Sequence, residues 1–312
     1  MSLLSLKLRV ASILVGIFIG IIAAAIIYGV AYYFFGISLG TASILFILLF
    51  ILIIDIVQWL FGPYLITAMY RAKRISATDP QFGHVVELVQ EVCRLNGQKM
   101  PEVYIANVNY PNAFAYGSPL TGRRMAITLP TLRILNDDEL KAVVGHEIGH
   151  LKHHDVEMLL AIGLIPSLLF YLGYIMIFSG GGRRQGGYAI LVAIILMVVS
   201  FIFNILILGI NRMRESYADL NAAETVPNGA GSLQTALAKI VANSGRGVSH
   251  QKSASSFVEM LMFNNPSNAS AQDHEELLNR WKYMKVGFLS DFFSDHPHPA
   301  RRIQMLERVK QY

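Results

Sequence analysis

The chain has 312 residues, of which 54% are hydrophobic and 15% charged, and its mean hydropathy is +0.45; these values exclude an ordinary soluble domain and indicate an integral membrane protein. Its 26 basic and 21 acidic residues leave a charge of +5 with no basic-aromatic run, which argues against a nucleic-acid partner and for a face near anionic lipid. The lone cysteine, Cys93, excludes an intramolecular disulfide, fits a reducing compartment, and falls on the apolar stripe of a helix, where burial is expected.

Four apolar stretches reach the roughly 20 residues that a helix needs to cross a bilayer: 10–35, 43–61, 158–178 and 188–210. The first is too long for a signal peptide and is followed at once by another span. Lys7 and Arg9 precede the first stretch, Arg71, Lys73 and Arg74 follow the second, and Arg212 and Arg214 follow the fourth. Arg183 and Arg184 dissent, but the balance puts both termini and segment 63–156 in the cytoplasm. Asp55, near Gln58 and Trp59, and Asn204 lie inside spans, where helix–helix hydrogen bonds or snorkelling are expected.

After the second stretch, Asp79-Pro80 reads as a cap with proline at the first helical position. Val85, Leu88, Val89, Val92 and Leu95 then continue a helix to Asn96-Gly97. Strand-like runs follow at 103–105, 112–116 and 124–129, separated by turns at Pro111 and Thr121-Gly122. A small sheet is expected beside the next helix. That helix opens on Asn136-Asp137-Asp138-Glu139, a capping-box pattern, and carries Leu140, Val143, Val144, Ile148 and Leu151 at helical spacing.

On it stands His146-Glu147-Ile148-Gly149-His150, the H-E-x-x-H pattern. Positions i and i+4 share a helix face, so both imidazoles can approach one metal ion, and Glu147 is angled to take a proton from metal-activated water without ligating. The pattern implies zinc-dependent peptide hydrolysis. His153 and His154 are not four residues apart and sit at the water boundary of the third stretch, so interface anchoring is expected rather than a second metal site.

A catalytic zinc commonly takes a third protein ligand and leaves one position open. The candidate is Glu215, because two crossings return the chain to the side it left. Asp219, four residues on, shares its face and can hydrogen-bond a ligating histidine. Beyond it, 226–273 is rich in Ser, Asn, Gly and Ala, with a helix expected at 232–242.

H-E-x-x-H, a two-span insertion and E-x-x-x-D in this order resemble the membrane-integrated gluzincin peptidases of the HtpX protease type. Asn112, Ala113, Phe114 and Ala115 are similar to that family's Asn-Ala-Phe-Ala strand, which borders the cleft and can bind extended substrate through main-chain hydrogen bonds. His296-Pro297 with Arg302-Ile303 is similar to its His-Pro-x-x-x-x-Arg-Ile element, whose cationic groups stabilise the tetrahedral intermediate or hold the site together. Asp295 and His298 depart from the family's usual residues there.

The resemblance implies a mainly α, integral-membrane fold: four transmembrane helices and a cytoplasmic α+β gluzincin-like catalytic domain with a small sheet. The divisions are 1–62 (tail and helices one and two), 63–156 (peptidase part with H-E-x-x-H), 157–210 (transmembrane hairpin) and 211–312 (peptidase part with the third ligand). It implies one Zn²⁺ per chain held by His146, His150 and Glu215, with Glu147 as base. It further implies a multi-pass protein of the cell membrane, facing the cytoplasm, that cuts misfolded or damaged membrane proteins or unfolded polypeptides in quality control. Oligomeric state stays open. Three alternatives are weighed: a CAAX-type prenyl protease, which has more spans; an intramembrane site-two protease, which needs a Leu-Asp-Gly absent here; and an inactive membrane scaffold.

Overall fold

The computed structural model describes residues 41–179, 186–244 and 273–310. The expected span 10–35 and most of 226–273 lie outside the described residues.

Helix α1 (Thr41–Met69) contains the second apolar stretch and continues past its expected end. Pro63 removes a single backbone donor and does not stop it, and Thr67 donates its hydroxyl to the Pro63 carbonyl at 2.7 Å. Strand β1 (Lys73–Arg74) leads to helix α2 (Gly83–Leu95). The expected start at Pro80 moves three residues downstream for a local reason. Asp79 Oδ1 accepts from the backbone N–H groups of Gln81 and Phe82, both at 2.9 Å, which closes a turn ahead of the helix. Val85, Leu88, Val89, Val92 and Cys93 form the buried stripe, and burial pushes the Cys93 thiol up to about 11.

Strands β2 (Glu102–Ala106), β3 (Ala113–Ser118) and β4 (Gly122–Thr128) complete a mixed sheet of order β1-β2-β4-β3. β1 is antiparallel to β2, β2 parallel to β4, and β3 antiparallel to β4, with Ala115 opposite Met125. β3 is therefore an edge strand. Leu129 does not end β4 but opens the short helix α3 (Leu129–Ile134), because Pro130 suits the first turn of a helix and not a ladder.

Helix α4 (Asp137–His153) carries H-E-x-x-H and begins as expected. Glu139 N donates to Asn136 Oδ1 at 2.9 Å and Asn136 N donates to Glu139 Oε2 at 3.0 Å, so both halves of the capping box are made. It ends at His154, which adopts a left-handed φ of 56°. Helices α5 (Asp155–Ser179) and α6 (Gly186–Thr225) form the hairpin, packed through Ile162, Leu169, Leu196 and Phe203. Ile190–Thr225 is by itself long and apolar enough to cross a membrane; Asp137–His153 and Met158–Tyr174 pass only as a pair, bent by 64°. Asn204 Nδ2 donates to the Ser200 carbonyl of its own helix at 3.0 Å. Helix α7 (Gly229–Ser244) covers the expected helix at 232–242. Helix α8 (Asp273–Tyr283), a 3-10 turn (Phe288–Asp291) and helix α9 (Pro299–Lys310) follow, with Ile303 and Leu306 buried.

α4 and α6 cross closely because glycines face small residues. A Cβ on Gly145 would meet Val226 Cγ2 at 2.7 Å, and one on Gly149 would meet the Ala218 Cα at 3.0 Å and Asn221 Cβ at 3.1 Å. Asn221 also donates to the Gly145 carbonyl at 2.8 Å. Gly149→Val would recover less than the ~1 kcal/mol helix-propensity penalty of glycine, whereas pushing two packed helices apart costs about 1–3 kcal/mol. A lowered thermal midpoint is expected in detergent. An unchanged midpoint would show that the contact is loose.

Candidate metal centre

His146 and His150 leave the same face of α4, with ring centroids 4.8 Å apart and Nε2 atoms 3.2 Å apart. The crossing of α4 with α6 brings Glu215 to both: Oε2 lies 3.6 Å from His146 Nε2, and Oε1 lies 3.4 Å from His150 Nε2. Donors bound tetrahedrally at about 2.0–2.1 Å from one metal stand about 3.3 Å from each other, so the three residues fit a metal ion. Among the described residues they are the group of His, Cys, Asp and Glu side chains that could hold one.

A second ring of charge fixes these groups. Asp219 Oδ1 lies 2.9 Å from His146 Nδ1, which leaves Nε2 for the metal. Arg302, from α9, grips Asp219 with both arms of its guanidinium, Nε to Oδ2 at 2.8 Å and Nη2 to Oδ1 at 2.6 Å. On the other side Asp155 Oδ2 lies 2.5 Å from His150 Nδ1, and Asp155 Oδ1 lies 2.5 Å from Arg214 Nη2. His296 Nδ1 lies 3.2 Å from Glu215 Oε2. The loop that presents it is tied to α6 by Arg212, whose Nη1 donates to the carbonyls of Asp291 and Ser294 at 2.7 and 2.6 Å. Glu147, Glu215, Asp219 and Asp155 carry more negative charge than Arg302 and Arg214 offset, which suits a divalent cation.

These side chains lie beyond the apolar segments, and their proton affinities follow from their neighbours. Burial raises the Glu147 carboxyl above its ordinary value, and the two imidazoles oppose this only in part. Burial alone would raise Glu215, but hydrogen bonds to His150 and His296 outweigh it and hold the group well below the usual carboxylate range. For Asp219 the Arg302 charge likewise outweighs burial and lowers the pKa. Burial would lower His296, yet Glu215 reverses the shift and raises it.

Glu147 is held by β3: Ala115 N donates to its Oε2 at 2.9 Å. Ala113 and Ala115 lie against the core beneath α4, whereas Phe114 packs with Tyr70 on the opposite face of the sheet, ring centroids 4.5 Å apart. Asn112 is fixed by its backbone, its N–H donating to Thr128 Oγ1 at 2.9 Å and its carbonyl accepting from Thr131 Oγ1 at 2.9 Å. Of the four-residue element, the main chain of Ala115 reaches the site directly.

The model of peptidase family M48 matches residues 79–310. The chain belongs to this family. The M48 chain is 55% identical to a protease HtpX homolog of Thermoplasma acidophilum over 99% of both chains. It is 46% identical to protease HtpX homolog 2 of Saccharolobus solfataricus over 98% of both. Among solved structures it shares the fold of S. mikatae Ste24p, with a TM-score of 0.55 at 16% identity, covering 96% of this chain and 66% of that one. It is a membrane metalloprotease with a metal cofactor.

The M48 site contains two residues that helical spacing does not reveal. Asp155 is five positions after His150 and off its helix face; the left-handed His154 turns the chain so that the carboxylate comes back to the imidazole. Arg214 reads in the sequence as one more cytoplasmic positive charge. His153 packs on the Tyr217 ring, centroids 5.7 Å apart, and His154 terminates α4. Asp219→Ala would remove the bidentate partner of buried Arg302 and leave it only Glu215, whose Oε2 lies 3.6 Å from Nη1, a loss of about 3–5 kcal/mol. The expected result is a sharply lowered thermal midpoint, partly restored when Arg302→Met is added; a midpoint shift equivalent to less than about 1 kcal/mol would contradict the pairing.

Proposed function

We propose that this protein is a zinc endopeptidase that cuts misfolded or damaged membrane proteins on the cytoplasmic side of the cell membrane. The observation that carries the reading is the approach of Glu215 to both His146 and His150 at 3.4–3.6 Å at the end of the α5–α6 hairpin. In this reading 63–156 and 211–312 form one peptidase, 1–62 and 157–210 supply four membrane-spanning helices, and the basic residues flanking them face the cytoplasm.

His146, His150 and Glu215 hold one zinc ion. When bound, zinc supplies Lewis acidity that polarises a peptide carbonyl and makes water nucleophilic near neutral pH. Glu147 takes the proton from water and passes it to the departing amine; its burial suits a carboxyl that must accept and then release a proton. The edge of β3 aligns extended substrate by main-chain hydrogen bonds. His296, partly open to the cleft, donates to the carbonyl oxygen as charge develops there, and Arg302 acts through Asp219 to orient His146. A prenylated-peptide substrate is the weaker alternative: likeness to Ste24p is one of fold at 16% identity, whereas relatives at 46% and 55% are named protease HtpX homologs.

The test compares purified wild type with Glu147→Gln on unfolded casein, with zinc content measured in both. Glu147→Gln is expected to keep zinc and lose about 10²–10⁴ in rate; equal cleavage by the two proteins would overturn the enzyme reading. Glu215→Ala is expected to lose both zinc and activity. Undiminished metal content would move the third ligand elsewhere.

A further inference from the structure

Two structural rulers measure how far the metal centre stands from the bilayer. The first is α6, one unbroken helix that is apolar as far as Ile210 and reaches Glu215 five positions later. At about 1.5 Å per residue, Glu215 lies no more than ~8 Å beyond the end of the apolar segment, and any tilt shortens that height. The second ruler is β3. At its far end Ser118 donates its hydroxyl to the Leu60 carbonyl of α1 at 3.0 Å, within the apolar run 43–61. Three residues earlier, Ala115 N donates to Glu147. Three strand residues span about 10 Å. The two rulers agree in scale: each places the site within about 10 Å of an apolar helix segment.

α1 also runs beside β3 for two further turns. Thr67 Oγ1 lies 3.1 Å from the Tyr116 hydroxyl, while Phe61, Tyr64, Leu65 and Met69 form an exposed apolar stripe at helical spacing on the same helix. That stripe is continuous with the membrane-spanning part of α1, so an apolar or interfacial environment extends alongside the strand. β3 is bonded to β4 on one side only. Ala113, Ala115 and Gly117 occupy the alternate positions whose main-chain groups point away from β4, and Ala115 N already does so toward Glu147.

We propose that this site selects peptide bonds by their distance from a membrane-spanning segment: polypeptide leaving the bilayer beside α1 extends along the outer edge of β3 and is cut about three residues beyond the bilayer edge. The inference rests on the peptidase reading above. It makes the enzyme a juxtamembrane cutter, because the strand that aligns the substrate is anchored at its far end to a membrane helix.

The test uses full-length protein co-reconstituted in lipid nanodiscs with single-span substrates. One cleavable sequence is placed about three, ten or twenty residues from the end of the apolar helix, in both chain orders, and products are mapped by mass spectrometry. In at least one chain order, the nearest placement is expected to be cut at least ~10-fold faster than the farthest, because the shared bilayer raises its effective concentration at β3. Equal rates at all placements in both orders, or faster cutting of the farthest, would overturn the distance rule while leaving the peptidase reading intact. Wild type no faster than Glu147→Gln on every substrate would overturn the peptidase reading and the inference with it.

Discussion

The close crossing of α4 and α6 is the contact on which the rest depends. Gly145 and Gly149 face Ala218, Ala222 and Val226, and a Cβ at either would crowd the facing chain, 2.7 Å from Val226 Cγ2 at Gly145 and 3.0 Å from the Ala218 Cα at Gly149. Gly145 immediately precedes His146 and Gly149 immediately precedes His150, so the surface that packs and the surface that gathers a metal are adjacent strips of one helix. On α6 the small residue Ala218 sits between Glu215 and Asp219. Packing and chemistry therefore share one register: a helix slid by a residue would move Glu215 and Asp219 off the imidazoles together.

The crossing assembles a buried set of charges, and the surrounding ring is arranged so that none of the key carboxylates is alone. Asp219 is fully buried but bound by both arms of Arg302, and Asp155 stands between His150 and Arg214. Each imidazole thus has a carboxylate on its Nδ1, one from α6 and one from the first residue of α5. Both legs of the α5–α6 hairpin consequently hold the histidines in place. Burial of this kind costs desolvation energy, which a divalent cation among surplus carboxylates offsets. It also explains why the C-terminal helix α9, distant in sequence, returns to the site: its Arg302 balances Asp219.

Much of this was legible in the sequence where a local rule governs. Asn136 and Glu139 announced the start of α4, the i, i+4 spacing placed two imidazoles on one face, and Glu215 and Asp219 were expected beside them, where the α5–α6 hairpin brings them. Elements set by competing local effects were less legible. The Asp79 side chain closes a turn instead of capping a helix, Pro130 converts the end of a strand into a helix, and α1 runs through Pro63. Asp155 was hidden because its approach depends on a left-handed residue, His154, that no periodicity encodes. Phe114 could not be assigned a face until the sheet order was known; it belongs with Tyr70 and not with the cleft. Four membrane spans and their orientation rest on hydropathy and charge, with one helix among the described residues crossing-competent on its own.

The ligand set is most directly tested by X-ray absorption at the zinc edge on full-length, zinc-loaded protein. Two imidazole nitrogens at about 2.0–2.1 Å together with carboxylate oxygen at about 2.0–2.2 Å are expected in the wild type, and Glu215→Ala is expected to retain no bound zinc after the same loading. A third imidazole in place of the carboxylate would contradict it, since that would put His296 in the coordination shell and leave the α4–α6 crossing without its chemical purpose.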